Sequence, residues 1–240
     1  MIEYLLYLGF YTGIVGISYI SLYYPFLYLI DEFRQKTYNK RLYIIKNIIK
    51  SIILNILTFH IIIGFFNDRN IYYLPKTHDL YIDNHYIKRL ASAYVSNDLL
   101  ALLIVPKLPK TTKIHHITSC LILFYIYFID FNDPNDIGKG IFLYTFMSMA
   151  SYLVNFVLAV RNFNNFPYLN LLRKLAYYSY LACVTLNWGG HVFLYGFKTI
   201  EYTLTLKHII YMCVLVPLIN DDLVLLSWLK KSSNKKLTED

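Results

Sequence analysis

Charge is scarce in this 240-residue chain: Asp, Glu, Lys and Arg together make up 16% of it, against 57% hydrophobic and 18% aromatic residues. That shortage excludes an ordinary soluble domain, in which about a quarter of residues are charged. Cysteine is almost absent, and Cys120, Cys183 and Cys213 each lie inside an apolar block, which excludes a disulfide framework. No phosphate-cradling glycine loop, Gly-x-Ser-x-Gly turn or nucleotide fingerprint occurs, so the common nucleotide-binding and hydrolase signatures are missing. The first apolar block lacks a basic leader and a small-residue cleavage site, and is expected to stay as a membrane helix rather than act as a cleaved signal. The net charge is +8, but the basic residues sit between apolar blocks rather than in one patch, which argues against a nucleic-acid partner.

What remains is apolar sequence, with a mean hydropathy of +0.41. It falls in blocks of roughly 17–25 residues, the length an α-helix needs to cross a bilayer. The fold class is all-α: a polytopic transmembrane helical bundle. Seven spans are predicted, near residues 4–30, 42–66, 87–105, 114–129, 141–160, 175–197 and 204–229. Turn-forming and charged residues mark the breaks, among them Arg34, Pro106, Pro109, Pro134 and Pro167. The third span is the weakest, because it contains Ser92, Ser96, Asn97 and Asp98; six spans with that segment re-entrant fit the same pattern.

Lys and Arg set an orientation, since cytoplasmic loops retain positive charge. The first, third and fifth loops and the C-terminal segment hold fourteen of them; the second, fourth and sixth loops hold seven. The alternation predicts seven spans with the N-terminus outside the cytosol and the C-terminus cytosolic. Losing one span would put the basic C-terminal segment on the side of the acidic loop at 130–136. The chain then divides into a first span with its basic loop (1–40), a membrane domain (41–231) and a short cytosolic tail (232–240).

Polar groups inside such spans are expensive, and mark functional sites by default. His115 and His116 open the fourth span about one turn past Lys113. Asp98 lies about 12 Å in from Lys107, Asn155 about 9 Å in from Arg161, and Asn220, Asp221 and Asp222 about 12–15 Å in from Lys230, all at 1.5 Å per residue. Four spans (the third, fourth, fifth and seventh) therefore bring polar groups to similar depth on the cytosolic side. Ser148, Ser151 and Asn155 share one helical face by their spacing. A carboxylate that orients one imidazole nitrogen leaves the other free to take a proton or attack an acyl group, so Asp98, His115 and His116 are the candidate catalytic residues. Ser148, Ser151, Asn155, Asp221 and Asp222 are candidate cavity-lining residues. No metal is expected: the other histidines are scattered, and His78, Asp79, Asp83 and His85 in the second loop follow no recognised ligand spacing. His191 reads as a helix-packing residue, or at most as a gate on the far side of a cavity.

Asp98 followed by Leu99-Leu100, a short basic loop, and then Ile114-His115-His116-Ile117-Thr118 resembles the core of the TLC-domain family. That family contains ceramide synthases, translocon-associated membrane proteins and compact lipid-regulating relatives. The later Asn220…Trp228-Leu229-Lys230 is similar to the family's last span, and the likeness covers roughly residues 40–231. It implies a helical membrane protein, mostly of the endoplasmic reticulum. In the synthase branch the histidine pair is needed to transfer a fatty acyl group from acyl-CoA to a sphingoid amine. Carried over, His115 or His116 is the base or acyl acceptor, acyl-CoA the co-substrate, and no cofactor is bound. Membrane lipid and a sphingoid base are the implied partners. The synthase branch carries further carboxylates on the span after the histidines, where this chain has the neutral Ser148, Ser151 and Asn155. Two readings follow: an N-acyltransferase making ceramide-like lipids, or a non-catalytic lipid-binding or lipid-homeostasis protein.

Overall fold

Each apolar block becomes a helix close to where the hydropathy pattern marks it. A computed structural model of the chain describes residues 2–66, 71–74, 79–133, 136–164, 166–197 and 205–233. The helices are α1 (Ile2–Leu29), the single turn α2 (Asp31–Arg34), α3 (Tyr38–Phe66), α4 (Asn84–Ile104), α5 (Lys110–Ile126), α6 (Gly138–Met149), α7 (Tyr152–Val160), α8 (Leu169–His191) and α9 (Leu206–Ser233). A π-helical turn, Val192–Phe197, extends α8. The second loop contains a small antiparallel hairpin, β1 (Ile71–Leu74) with β2 (Asp79–Ile82), in which Ile71 faces Ile82. The predicted fifth span is interrupted: α6 stops at Met149, α7 starts at Tyr152, and the Ser151 hydroxyl donates back to the Ser148 carbonyl at 2.6 Å across the break. Ser51 of α3 donates to the Tyr152 carbonyl at 2.9 Å and braces the kink.

Four stretches are long and apolar enough to cross a membrane on those grounds alone: Ile2–Leu29, Tyr38–Gly64, Gly138–Val160 and Leu206–Ser233. The remaining long helices fall short for identifiable reasons. Helix α5 has 17 residues, while α4 and α8 carry polar residues directed inward. In α4 the fully buried residues include Ser92, Ser96, Asn97 and Asp98, which is why it looked like the weakest span. Its polar residues lie on its buried face. Large apolar residues point outward instead, among them Phe10, Ile17, Phe59, Phe124, Leu186 and Val216. A protein polar inside and apolar outside associates with a membrane.

The packing order closes a ring. Helix α3 contacts α4, α4 contacts α5, α5 contacts α9, α9 contacts α8, α8 contacts α7, and α7 returns to α3. Helix α1 stands outside this ring, packed on α4 and α3. The Tyr19 hydroxyl reaches Asn97 Oδ1 of α4 at 3.5 Å, and the Tyr127 hydroxyl donates to the Tyr4 carbonyl at 3.2 Å. Gly190 of α8 faces Leu143 of α6 so closely that a Cβ would collide with it, and the missing side chain lets the two helices approach.

The loops sort to opposite ends, as the charge alternation predicts. In the first and fifth loops, the Asn164 amide donates to Glu32 Oε2 at 2.9 Å. In the second and fourth, Asn132 pairs with Ile82 twice, each bond 2.9 Å, while Asn84 donates to Asp130 Oδ1 at 2.7 Å and accepts from the Phe131 amide at 2.9 Å. Lys207, at the start of α9, joins that end through Asp136 at 3.0 Å. The hydrogen bond from Asn84, then that from the Asn132 amide, hold the Asp130 carboxyl below the usual carboxylate range. A depressed folded value stabilises the protein above the unfolded pKa of about 3.9, and that stabilisation fades as pH falls through the folded value. The two-bond clamp gives a direct test: Asn132→Ala should lower unfolding stability by about 1–3 kcal/mol, because it strands the Ile82 amide and carbonyl. Thermal unfolding in detergent measures the loss, and an unchanged midpoint would show that the clamp contributes nothing.

Candidate functional site

The six-sided ring encloses a cavity of about 340 Å³. Its walls carry every candidate residue taken from the sequence: Asp98 from α4, His115 and His116 from α5, Ser148 and Ser151 at the α6–α7 break, Asn155 from α7, and Asp221 and Asp222 from α9. Asn220, the neighbour of the two aspartates, is exposed and takes no part. The convergence is wider than the four spans predicted, because α3 contributes Lys46 and Lys50, and α8 contributes Tyr180 and Asn187.

Two carboxylate–histidine contacts organise the cavity. Asp98 Oδ1 lies 3.1 Å from His116 Nδ1 and 2.9 Å from Lys50 Nζ, and all three side chains are almost fully buried. Lys50 also donates to the Tyr94 carbonyl at 3.1 Å and sits 3.8 Å from the centre of the Tyr94 ring, so its ammonium is met by a carboxylate, a carbonyl and a π-face. His115 turns the other way: its Nδ1 lies 3.1 Å from Asp221 Oδ2, and both side chains stay about one-fifth exposed. Adjacent residues on an α-helix project about 100° apart, so the two imidazoles take separate partners. Their ring centres lie 5.7 Å apart at 77°.

Asp222 is bound by neutral donors, the Tyr180 hydroxyl at 2.6 Å and Trp188 Nε1 at 3.1 Å. The contacts around Asp98 are close but not aligned as hydrogen bonds: its two oxygens and both His116 nitrogens lack a hydrogen-bond partner. Charge attraction between Lys50 and Asp98, not directional bonding, holds that pair, with the His116 ring packed beside it.

Asp98, His115 and His116 offer ligand atoms within 4.8 Å of one another, a spacing compatible with a metal ion. The surroundings oppose one. Lys50 already occupies Asp98 Oδ1, and Lys46 lines the same wall, so the local field disfavours a divalent cation. The second-loop group resolves into structural roles: Asp83 caps α4 by accepting from the amides of His85 and Tyr86, and His85 Nδ1 contacts the Tyr4 hydroxyl at 3.1 Å. His78 lies outside the described residues, as does the tail from 234 onward. His191 is a packing residue, bonded to the Asn187 carbonyl at 2.8 Å and the Tyr211 hydroxyl at 2.9 Å.

Lys46 and Lys50 are the functional residues that sequence reading missed. Of the chain's 23 Lys and Arg, these two alone lie outside the loop segments that set the orientation. Two lysines four apart within an apolar span were the available signal. Removing one member of a buried ion pair leaves the other charged in a low-dielectric interior, at a cost of about 3–5 kcal/mol. Lys50→Met and Asp98→Asn should therefore each destabilise by roughly that amount, and the double variant by distinctly less than their sum. Unfolding midpoints of the four proteins measure the coupling; strict additivity would mean that the pair does not interact.

Comparison with models of protein families, with curated proteins and with solved structures gives no match, so the geometry itself carries the functional reading.

Proposed function

We propose that the chain is a seven-span TLC-type protein of the endoplasmic reticulum or a related endomembrane, with a lumenal N-terminus and a cytosolic C-terminus. At 1.5 Å per residue, α4 and α8 reach about 31–34 Å and α5 about 25 Å, close to the roughly 30 Å hydrocarbon core. Inward-facing polar residues let these helices span despite their composition. The cavity then lies toward the basic, cytosolic end, because its rim is built from the starts of α3 and α5 and the ends of α7 and α9.

The reaction we assign is transfer of an acyl group from acyl-CoA to a sphingoid-type amine. One observation carries it: the His115–Asp221 contact faces a cavity shared with the Asp98–His116–Lys50 cluster. Asp221 lies 3.1 Å from His115 Nδ1, close but not aligned as a hydrogen bond, and leaves Nε2 as the base; alignment of that contact on substrate binding would orient the ring. The amine nitrogen attacks the thioester carbonyl and gives its proton to His115. The C–N bond forms, the C–S bond breaks, and the departing thiolate takes that proton. His116, buried against Asp98, acts as a positioning residue for the helix that carries His115.

The neutral Ser148, Ser151 and Asn155 favour a second reading, lipid binding or lipid homeostasis without turnover. One assay separates the two. In membranes from a host without ceramide synthases, the wild-type chain should transfer a long acyl group from acyl-CoA to sphinganine. His115→Ala should reduce the rate about 10²–10⁴-fold at unchanged protein level, as expected for loss of a general base. His116→Ala should chiefly lower the amount of folded protein. No turnover by a correctly inserted wild type rejects catalysis and leaves the lipid-binding reading.

A further inference from the structure

Every carboxylate lining the cavity has a close partner, whereas two of its cations touch no carboxylate among the described residues. Asp98 is taken by Lys50 and His116, Asp221 by His115, and Asp222 by Tyr180 and Trp188. Lys46 is only 4% exposed, yet among the described residues no carboxylate lies within 4.0 Å of it and no hydrogen bond satisfies it; the Tyr43 ring lies 5.7 Å away, and the Asp98 and Asp221 charges act on it only from beyond contact distance. Arg161 likewise has no carboxylate partner among the described residues, and its guanidinium stacks 4.3 Å over the Trp228 ring. A buried ammonium with no carboxylate in contact is incompletely satisfied, and an anion placed beside it would supply the missing partner.

The same rim holds the start of α5. Thr111 and Thr112 line the cavity, Pro109 at the helix start supplies no side-chain cap, and the first intrahelical bond runs from the Lys113 amide to the Pro109 carbonyl at 2.9 Å. The amides of Lys110, Thr111 and Thr112 precede that bond, at the positive end of a 17-residue helix dipole. The start of α5, two hydroxyls and the Lys46 ammonium line the same cavity, and all are donors that an anion can use. They suit a tetrahedral, multiply charged oxyanion better than a carboxylate, because more acceptor oxygens meet the available donors.

We propose that the cavity rim binds a phosphate group, held by Lys46 and the start of α5 with Arg161 beside it, while the rest of the ligand extends toward His115. This names part of the ligand for the cavity already described, but it needs no acyl transfer, so loss of the catalytic reading would leave it standing. The phosphate can arrive as a lipid headgroup or as a soluble phosphate ester.

Binding to the purified full chain in nanodiscs decides between these sources, read by native mass spectrometry and thermal shift. The probes are a lysophosphatidic acid, the matched uncharged monoacylglycerol, and glycerol 3-phosphate without a tail. The lysophosphatidic acid should bind at least tenfold more tightly than the monoacylglycerol. Lys46→Gln should weaken it about 10–100-fold without changing monoacylglycerol binding. Lys46→Arg should retain most of the affinity, and Lys230→Gln, at the same end of the bundle, should match wild type. Because the Lys46 ammonium is buried with no carboxylate in contact, Lys46→Gln should not lower the unfolding midpoint of the ligand-free protein, which separates lost recognition from lost folding. Saturable binding of glycerol 3-phosphate assigns the site to a soluble ester; binding of the lipid alone assigns it to a headgroup. Equal affinity for charged and uncharged lipids, or full affinity in Lys46→Gln, overturns the proposal.

Discussion

A carboxylate cannot remain charged in the middle of an apolar bundle unless cations are brought to it. Asp98 brings one, Lys50, together with the His116 imidazole, from two different helices. Lys50 approaches from α3 and His116 from α5, so the requirement to neutralise one side chain fixes three neighbouring helices in depth and rotation. Those three form one side of the ring. With α4 turned so that Asp98 faces inward, Ser92, Ser96 and Asn97 are buried with it, and α1 covers the opposite flank. The interior becomes polar because a single costly group must be satisfied there.

That constraint also sorts the remaining charges. Lys50 is committed to Asp98, and His116 is turned away from the opposite wall, which leaves His115 to meet Asp221 from α9. Asp222 faces Tyr180 and Trp188 of α8, so the last two helices are joined by a carboxylate as the first three are. The cations left over, Lys46 and Arg161, lie at the basic end beside an uncapped helix start. The cavity therefore holds two kinds of group: cations with no carboxylate in contact among the described residues, and a histidine paired with a carboxylate. An amphiphile with an anionic head and a reactive group fits that combination.

Much of this was legible in the sequence, since membrane helices are long and their loops carry charge. The helix positions followed from apolar run lengths, and the sorting of loops to two ends followed from counting Lys and Arg. All eight candidate residues lie on the cavity, because a polar group on an apolar helix has few other places to go. The break at 150–151 was not legible: Ala150-Ser151 contains neither proline nor glycine, and the stop depends on a Ser151 hydroxyl turned back on the chain. Tyr180 and Trp188 were hidden because an aromatic residue in an apolar helix looks like packing until its hydroxyl or indole finds a carboxylate. Lys46 and Lys50 were overlooked because basic residues served to orient the loops and not to mark the interior. The split between the histidines follows the helix, which turns adjacent residues about 100° apart and gives each ring its own nearest carboxylate.

The dependence of the ring on Asp98 is most directly tested by a distance measured in a bilayer. Solid-state dipolar recoupling between ¹⁵N-labelled lysine side chains and ¹³C-labelled aspartate carboxyls reports such contacts, with Lys207→Met as background to remove the signal from its pair with Asp136. A strong coupling that survives in this background and vanishes on Lys50→Met is the result expected for a Lys50–Asp98 contact of 2.9 Å. A coupling unaffected by Lys50→Met, or no coupling at all, would mean that Asp98 does not hold the three helices together.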